Sequence, residues 1–169
     1  QEKAWQVIKN TNIIQIWEDA GAKINLVGSL RTGLLMKHRD IDFHIYSSPL
    51  NLADSFLAMA RLAENPSIKR IECANLLHTS EACIEWHAWY QNEENELWQM
   101  DMIHIREGSR YDGYFEKVAQ RISEIMTDEI RETILRLKYE TPETEKIIGV
   151  EYYQAVLRDG VRDYSRFKE

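Results

Sequence analysis

Asp40-Ile41-Asp42-Phe43 sets two carboxylates one apolar residue apart, shortly after Val27-Gly28-Ser29. In an extended segment successive side chains point to opposite faces, so Asp40 and Asp42 project together. Neighbouring carboxylates repel and raise each other's pKa unless a cation lies between them. Mg2+, a hard ion, takes such oxygen ligands, usually together with substrate phosphates. A glycine just upstream lets backbone N–H groups approach a polyphosphate closely. Residue types and spacing together point to a metal and a nucleotide.

These groups need strands to hold them. An apolar run at 23–28 predicts a first strand that ends in the glycine turn, and 40–46 predicts a second. A third acid, Asp101, interrupts the mostly apolar run Leu97–Ile105, where a charge needs a partner or a metal. The runs 82–90 and 97–105, joined by the polar segment 91–96, read as a hairpin, and 68–74 reads as a further strand. Apolar residues at helical spacing predict a helix over 4–20, ended by Gly21, and another over 50–64 after the turn Ser47-Ser48-Pro49. A long helix is expected from Tyr114 to about Tyr139, with Phe115, Val118, Ile122, Ile125, Ile130, Ile134 and Leu137 as its buried stripe. Thr141-Pro142 breaks it before a last helix over 143–158. This order predicts an α+β fold: a small mixed sheet with helices against it, then C-terminal helices. Residues 1–110 would form the sheet domain and 111–169 a helical region.

The stretch VGSLRTGLLMKHRDIDFHIY resembles the signature of the nucleotidyltransferase superfamily, the DNA polymerase β-like fold. That signature is an apolar strand, Gly-Ser or Gly-Gly, a loop, then Asp-apolar-Asp on the next strand, with a lone acid on a later one. The resemblance covers roughly residues 22 to 105 and looks like the small-molecule branch, which includes antibiotic-modifying enzymes. It implies that Asp40, Asp42 and Asp101 hold one or two Mg2+ ions. Asp101 would also take the proton of the attacking hydroxyl. Gly28, Ser29, Arg31 and Lys37 would hold the triphosphate. The expected reaction moves a nucleoside monophosphate, AMP from ATP as the first choice, to a hydroxyl of a small molecule and releases pyrophosphate. One departure from the family pattern stands out: Leu34-Leu35-Met36 is more apolar than the Arg-Gly-rich loops of relatives.

Composition narrows the acceptor. The chain has 169 residues, is 44% apolar, and carries 21 Lys and Arg against 28 Asp and Glu, a net charge of −7. A protein that grips long nucleic acid ordinarily shows a basic face, so no long template is expected. An acidic surface would instead steer a cationic acceptor. No apolar run reaches the roughly 20 residues of a membrane span. Cys73 and Cys83 make neither a disulfide framework nor a CxxC site, and no signal peptide precedes the first strand, which suits a cytoplasmic protein. The chain begins at Gln1 without Met, which is compatible with a leader removed earlier.

Other residues admit two readings. His44 shares the parity of Asp40 and Asp42 and could reach the metal region or simply pack. His87 and His104 fit no zinc spacing. Trp86, Trp89, Tyr90 and Trp98 could stack a ring, form a homodimer surface, or be cross-strand core pairs. Arg136 and Lys138 could touch the triphosphate, which spacing alone does not decide. Two further functional readings stay open: a protein-modifying or toxin–antitoxin transferase, and a catalytically silent nucleotide-binding domain.

Overall fold

Burial alternates along 84–91 and 97–104, and that alternation sets the architecture. The computed structural model describes residues 1–169. The strands are β1 (Lys23–Val27), β2 (Asp40–Tyr46), β3 (Ile68–Asn75), β4 (Cys83–Gln91) and β5 (Leu97–Ile105). They form one mixed sheet in the order β1-β2-β5-β4-β3. Only the β2–β5 pair is parallel; the other three pairs are antiparallel. Ile41, Phe43 and Ile45 of β2, Trp86, Ala88 and Tyr90 of β4, and Trp98, Met100 and Met102 of β5 point into one core.

Helices α1 (Glu2–Thr11), α2 (Ile13–Asp19) and α4 (Leu52–Ala63) cover that face, giving Val7, Ile8, Ile13, Trp17, Met59 and Leu62 to the same core. The opposite face carries the alternate residues, among them Asp40, Asp42 and Asp101. A short helix α3 (Gly28–Arg31) follows β1 directly. Then come α5 (Tyr114–Ile125), α6 (Asp128–Glu140), α7 (Gly149–Leu157) and α8 (Tyr164–Phe167), with a second core of Leu34, Ile122, Ile134, Leu137, Tyr152, Val156 and Val161. No helix is long and apolar enough to cross a membrane. Cys73 is exposed, Cys83 is buried, and both are free thiols.

Two expected helices are each divided, and both divisions have local causes. The helix over 4–20 breaks at Asn12, whose φ of 53° is left-handed, a conformation asparagine tolerates. The helix over 114–139 breaks at Met126-Thr127. There the Thr127 hydroxyl accepts from the Ile130 N–H at 3.2 Å and starts α6, with Asp128 and Glu129 in its first turn. The last expected helix starts later than 143. The Glu151 carboxylate accepts from the Ile148 N–H at 2.9 Å and fixes the start of α7 at Gly149. The short α8 was not expected; Asp163 caps it, accepting from the Arg166 N–H at 3.0 Å.

His104 shows how the core satisfies its polar groups. Its ring is buried, and burial brings its pKa down to about 4, so it is neutral. Ser55 Oγ accepts from Trp86 Nε1 at 2.9 Å and lies 3.1 Å from His104 Nδ1, while Ser47 Oγ lies 2.7 Å from Nε2. The neutral tautomer that satisfies all four groups carries its proton on Nε2. Replacing Ser55 with alanine strands both Trp86 Nε1 and His104 Nδ1 in the core. We expect Ser55→Ala to lose about 1–3 kcal/mol in urea denaturation.

Candidate active site

Register places the acids. Asp42 of β2 stands opposite Asp101 of β5, and Asp40 stands opposite Gln99, so all three carboxylates share the face away from the core. On the other side of Asp42, Val27 pairs with it and Gly28 ends β1. Gly28 has a φ of +67°, and a Cβ there would lie 1.9 Å from Asp42 Oδ2. Glycine is therefore required twice over, by backbone conformation and by the carboxylate pressed against it.

Crowding shows in the electrostatics. The Asp42 carboxyl is pushed up to about 7, first by burial and then by Asp40 and Asp101, against the opposing pull of Lys138. The Lys138 ammonium is brought down to about 8 by burial, with Asp40 and Asp42 acting the other way. Lys138 Nζ donates to Ser29 Oγ and to the Leu34 carbonyl, each at 3.0 Å. The N-terminal turn of α7 closes over the same spot: a Cβ on Gly149 would lie 3.7 Å from Ser29 Oγ.

Asp101 is held in place from two sides. His87 Nδ1 donates to its Oδ1 at 2.5 Å, and Gln99 Nε2 donates to the same oxygen at 2.7 Å. Oδ2 has no hydrogen-bond partner. Neither His87 nor Gln99 stood out in the sequence as a support for Asp101. The hairpin did contain the signal, since pairing Tyr90 with Trp98 across the turn sets His87 opposite Asp101.

The other sequence candidates go to different places. Lys37 lies away from the acids: its Nζ donates to the Tyr139 and Thr141 carbonyls at 2.7 and 2.6 Å, where it caps the C-terminal end of α6. Arg31 is exposed on α3 and makes no ion pair. Arg136 donates to the Arg162 carbonyl at 2.6 Å, which leaves Lys138 as the helix-borne cation beside Ser29. His44 is buried, with Nδ1 3.6 Å from Glu116 Oε2 and its ring edge-on to Phe115. It packs under α5 and does not join the acids. Trp86, Tyr90 and Trp98 are core, whereas Trp89 lies on the open face with His87.

The donor set suits Mg2+. No three acidic, histidine or cysteine side chains enclose an ion by themselves. Mg2+ does not need such a cage, because it is commonly bound by one or two carboxylates plus substrate phosphates. Burial first, and then Asp40 and Asp101, raise the Asp42 pKa, and a cation at this spot would offset both.

No family model matches the sequence, and no curated protein does. Solved structures do match. The Cid1 poly(U) polymerase bound to MgATP aligns at a TM-score of 0.67, over 93% of this chain and 50% of its own, with 13% identity. The chain has the nucleotidyltransferase fold. A cytoplasmic RNA terminal U-transferase gives 0.60 over 90% of this chain and 45% of its own, at 12% identity. The poly(A) polymerase complex GLD-2–GLD-3 gives 0.59 over 92% and 56%, at 9% identity. The chain thus spans about half the length of the nucleotidyltransferases it matches. At these identities the likeness is one of fold.

Ionising Asp42 costs the folded chain more than the unfolded one, where an aspartate titrates near pH 4. Stability is therefore greatest below about pH 4 on this account and falls as pH rises toward about 7. Urea midpoints between pH 5 and 7.5 should drop in the wild type, and Asp42→Asn should flatten that slope. Gly28→Ala should destabilise by roughly 1–3 kcal/mol in the same assay, through its left-handed φ and the displaced Asp42 side chain.

Proposed function

We propose that this chain is a Mg2+-dependent nucleotidyltransferase that moves a nucleoside monophosphate from a triphosphate, ATP as the first choice, to a hydroxyl of a small acceptor. The observation that carries this reading is Gly28 pressed against Asp42, with Asp42 opposite Asp101 and Asp40 on the same face. Asp40 and Asp42, with Asp101 alongside, would hold Mg2+, which would supply charge neutralisation for the triphosphate and acidify the acceptor hydroxyl.

The chain's own groups account for the rest. Asp101 presents its unpartnered Oδ2 to the acceptor hydroxyl and takes its proton, while His87 and Gln99 keep Oδ1 fixed. The freed oxygen attacks the α-phosphorus in line, and the bond to pyrophosphate breaks. Ser29, the backbone N–H groups after Gly28, and Lys138 hold the departing phosphates, with Arg31 at the rim. Lys138 takes the part first expected of Lys37, because Lys37 is engaged at the end of α6. Positioning and charge neutralisation are the main sources of rate in such a site.

A second reading differs only in the acceptor. The matched structures are named for adding U or A to RNA, which favours a ribose hydroxyl at an RNA end. The net charge of −7 favours a short acceptor over a long one.

Calorimetric titration with each of the four nucleoside triphosphates, with and without Mg2+, tests the donor site. One triphosphate should bind in a Mg2+-dependent way, and Asp40→Ala/Asp42→Ala should abolish that binding; no binding by wild type at millimolar concentration would overturn the reading. Lys138→Ala should weaken Mg2+–triphosphate binding about tenfold or more, the usual worth of a charge-assisted contact. Lys37→Ala should leave that affinity within about twofold and lower stability instead.

A further inference from the structure

Two rows of side chains run across the open face of the sheet. One reads Asp42, Asp101, His87, Glu72; the next reads Asp40, Gln99, Trp89, Arg70. The second row leads away from the acids onto an aromatic ring. Trp89 is half-buried, and the Arg70 guanidinium lies over it at 4.6 Å from the β3 side. On the β5 side a cavity of about 290 Å3 opens between Trp89, Leu97, Gln99, Asp40, His38 and Arg39.

We propose that Trp89, with Arg70 and Arg39 at its edges, is the platform that selects the acceptor, and that it takes a flat ring flanked by a phosphate, the chemistry of a nucleotide end. This rests on the nucleotidyl-transfer reading above and names the acceptor's class for that site. Three features argue for it. The ring is held between a stacked cation and an open cavity, and a tryptophan face accepts a nucleobase without regard to its identity. The distance fits. Trp89 pairs with Gln99, two residues before Asp101, so the two backbone positions are roughly 8 Å apart at ~3.4 Å per residue and ~4.8 Å between strands. A base on Trp89 can thus carry its own ribose hydroxyl to Asp101.

The charges also fit. Arg39 lines the cavity beside Asp40 and Arg70 stacks on the Trp89 ring; the pairs Arg39–Glu96 and Arg70–Glu72 involve exposed arginines, so an incoming phosphate exchanges for weak partners. Of the cavity's groups, Arg39 would repel the cationic acceptor expected from net charge alone while Asp40 and the Trp89 face would attract it, so a polycation is the discriminating competitor.

The test is acceptor binding by calorimetry, using the dinucleoside monophosphate ApA, a decamer of oligo(A), and kanamycin. Each is titrated with and without Mg2+ and a non-hydrolysable ATP analogue. We expect ApA to bind wild type, and Trp89→Ala to weaken it about tenfold or more, with Trp89→Phe retaining most of the affinity. Arg70→Ala, at an exposed position that does not endanger folding, should weaken ApA about threefold or more and make binding less sensitive to salt. Oligo(A) binding no tighter than ApA supports a platform for one terminal nucleotide; a gain of a hundredfold or more would overturn the single-platform picture. No ApA binding, equal binding by Trp89→Ala and Arg70→Ala, or preference for kanamycin would overturn the proposal. The ATP analogue is read separately on the same variants. Wild type that binds the analogue but not ApA refutes the platform alone, and wild type that does not bind the analogue refutes the donor site.

Discussion

Everything at the site depends on placing three carboxylates on one patch of sheet where one of them, Asp42, is short of water. Asp40, Asp42 and Asp101 sit on two adjacent strands, and Asp42 is the most confined, with Gly28 against its carboxylate and Lys138 as its nearest cation. A fold that tolerates such charge must supply rigid backbone beneath it. That support comes from the core face of the same strands, where Ile41, Phe43, Met100 and Met102 are fully buried between the flanking acids' backbones and the covering helices. The apolar face fixes the register, and the register fixes the acids, because a slip of one residue would turn every side chain over.

The parts of this arrangement set by short-range pattern were legible in the sequence. Alternation in β2 and β5 put the acids on one face, and the polar turn between β4 and β5 marked a hairpin. The break at Thr127 could have been read as well, since Thr127-Asp128-Glu129 is an ordinary helix start, but the continuous apolar stripe from Phe115 to Leu137 masked it. What the sequence hid depends on where long side chains land after folding. Lys37 lies in the loop between the glycine and the acids and looked like a phosphate ligand. Lys138 lies far along the chain and yet reaches Ser29. Only tertiary packing tells these two lysines apart.

The apolar loop that departs from the family pattern has an explanation of the same kind. Leu35 enters the sheet core, whereas Leu34, the residue before it, enters the core of the C-terminal helices. Polar groups of the same loop are tied to α6: Arg131 reaches the Gly33 carbonyl at 3.4 Å, Lys138 the Leu34 carbonyl, and Lys37 the end of the helix. A loop of Arg and Gly could still accept at its carbonyls but would put no side chain into either core. Hydrophobic residues stand in it because it joins two cores.

Leu34 therefore makes the helical region a splint for the glycine turn. The sheet can keep its hydrogen bonds while α6 and α7 loosen, but Ser29 and Lys138 cannot then stay 3.0 Å apart. Damage far from the acids, in the packing of Ile134 or Tyr152, would surface as a Lys138 displaced from Ser29 in a protein whose sheet still looks sound. Screens that score only folding would pass such variants as healthy.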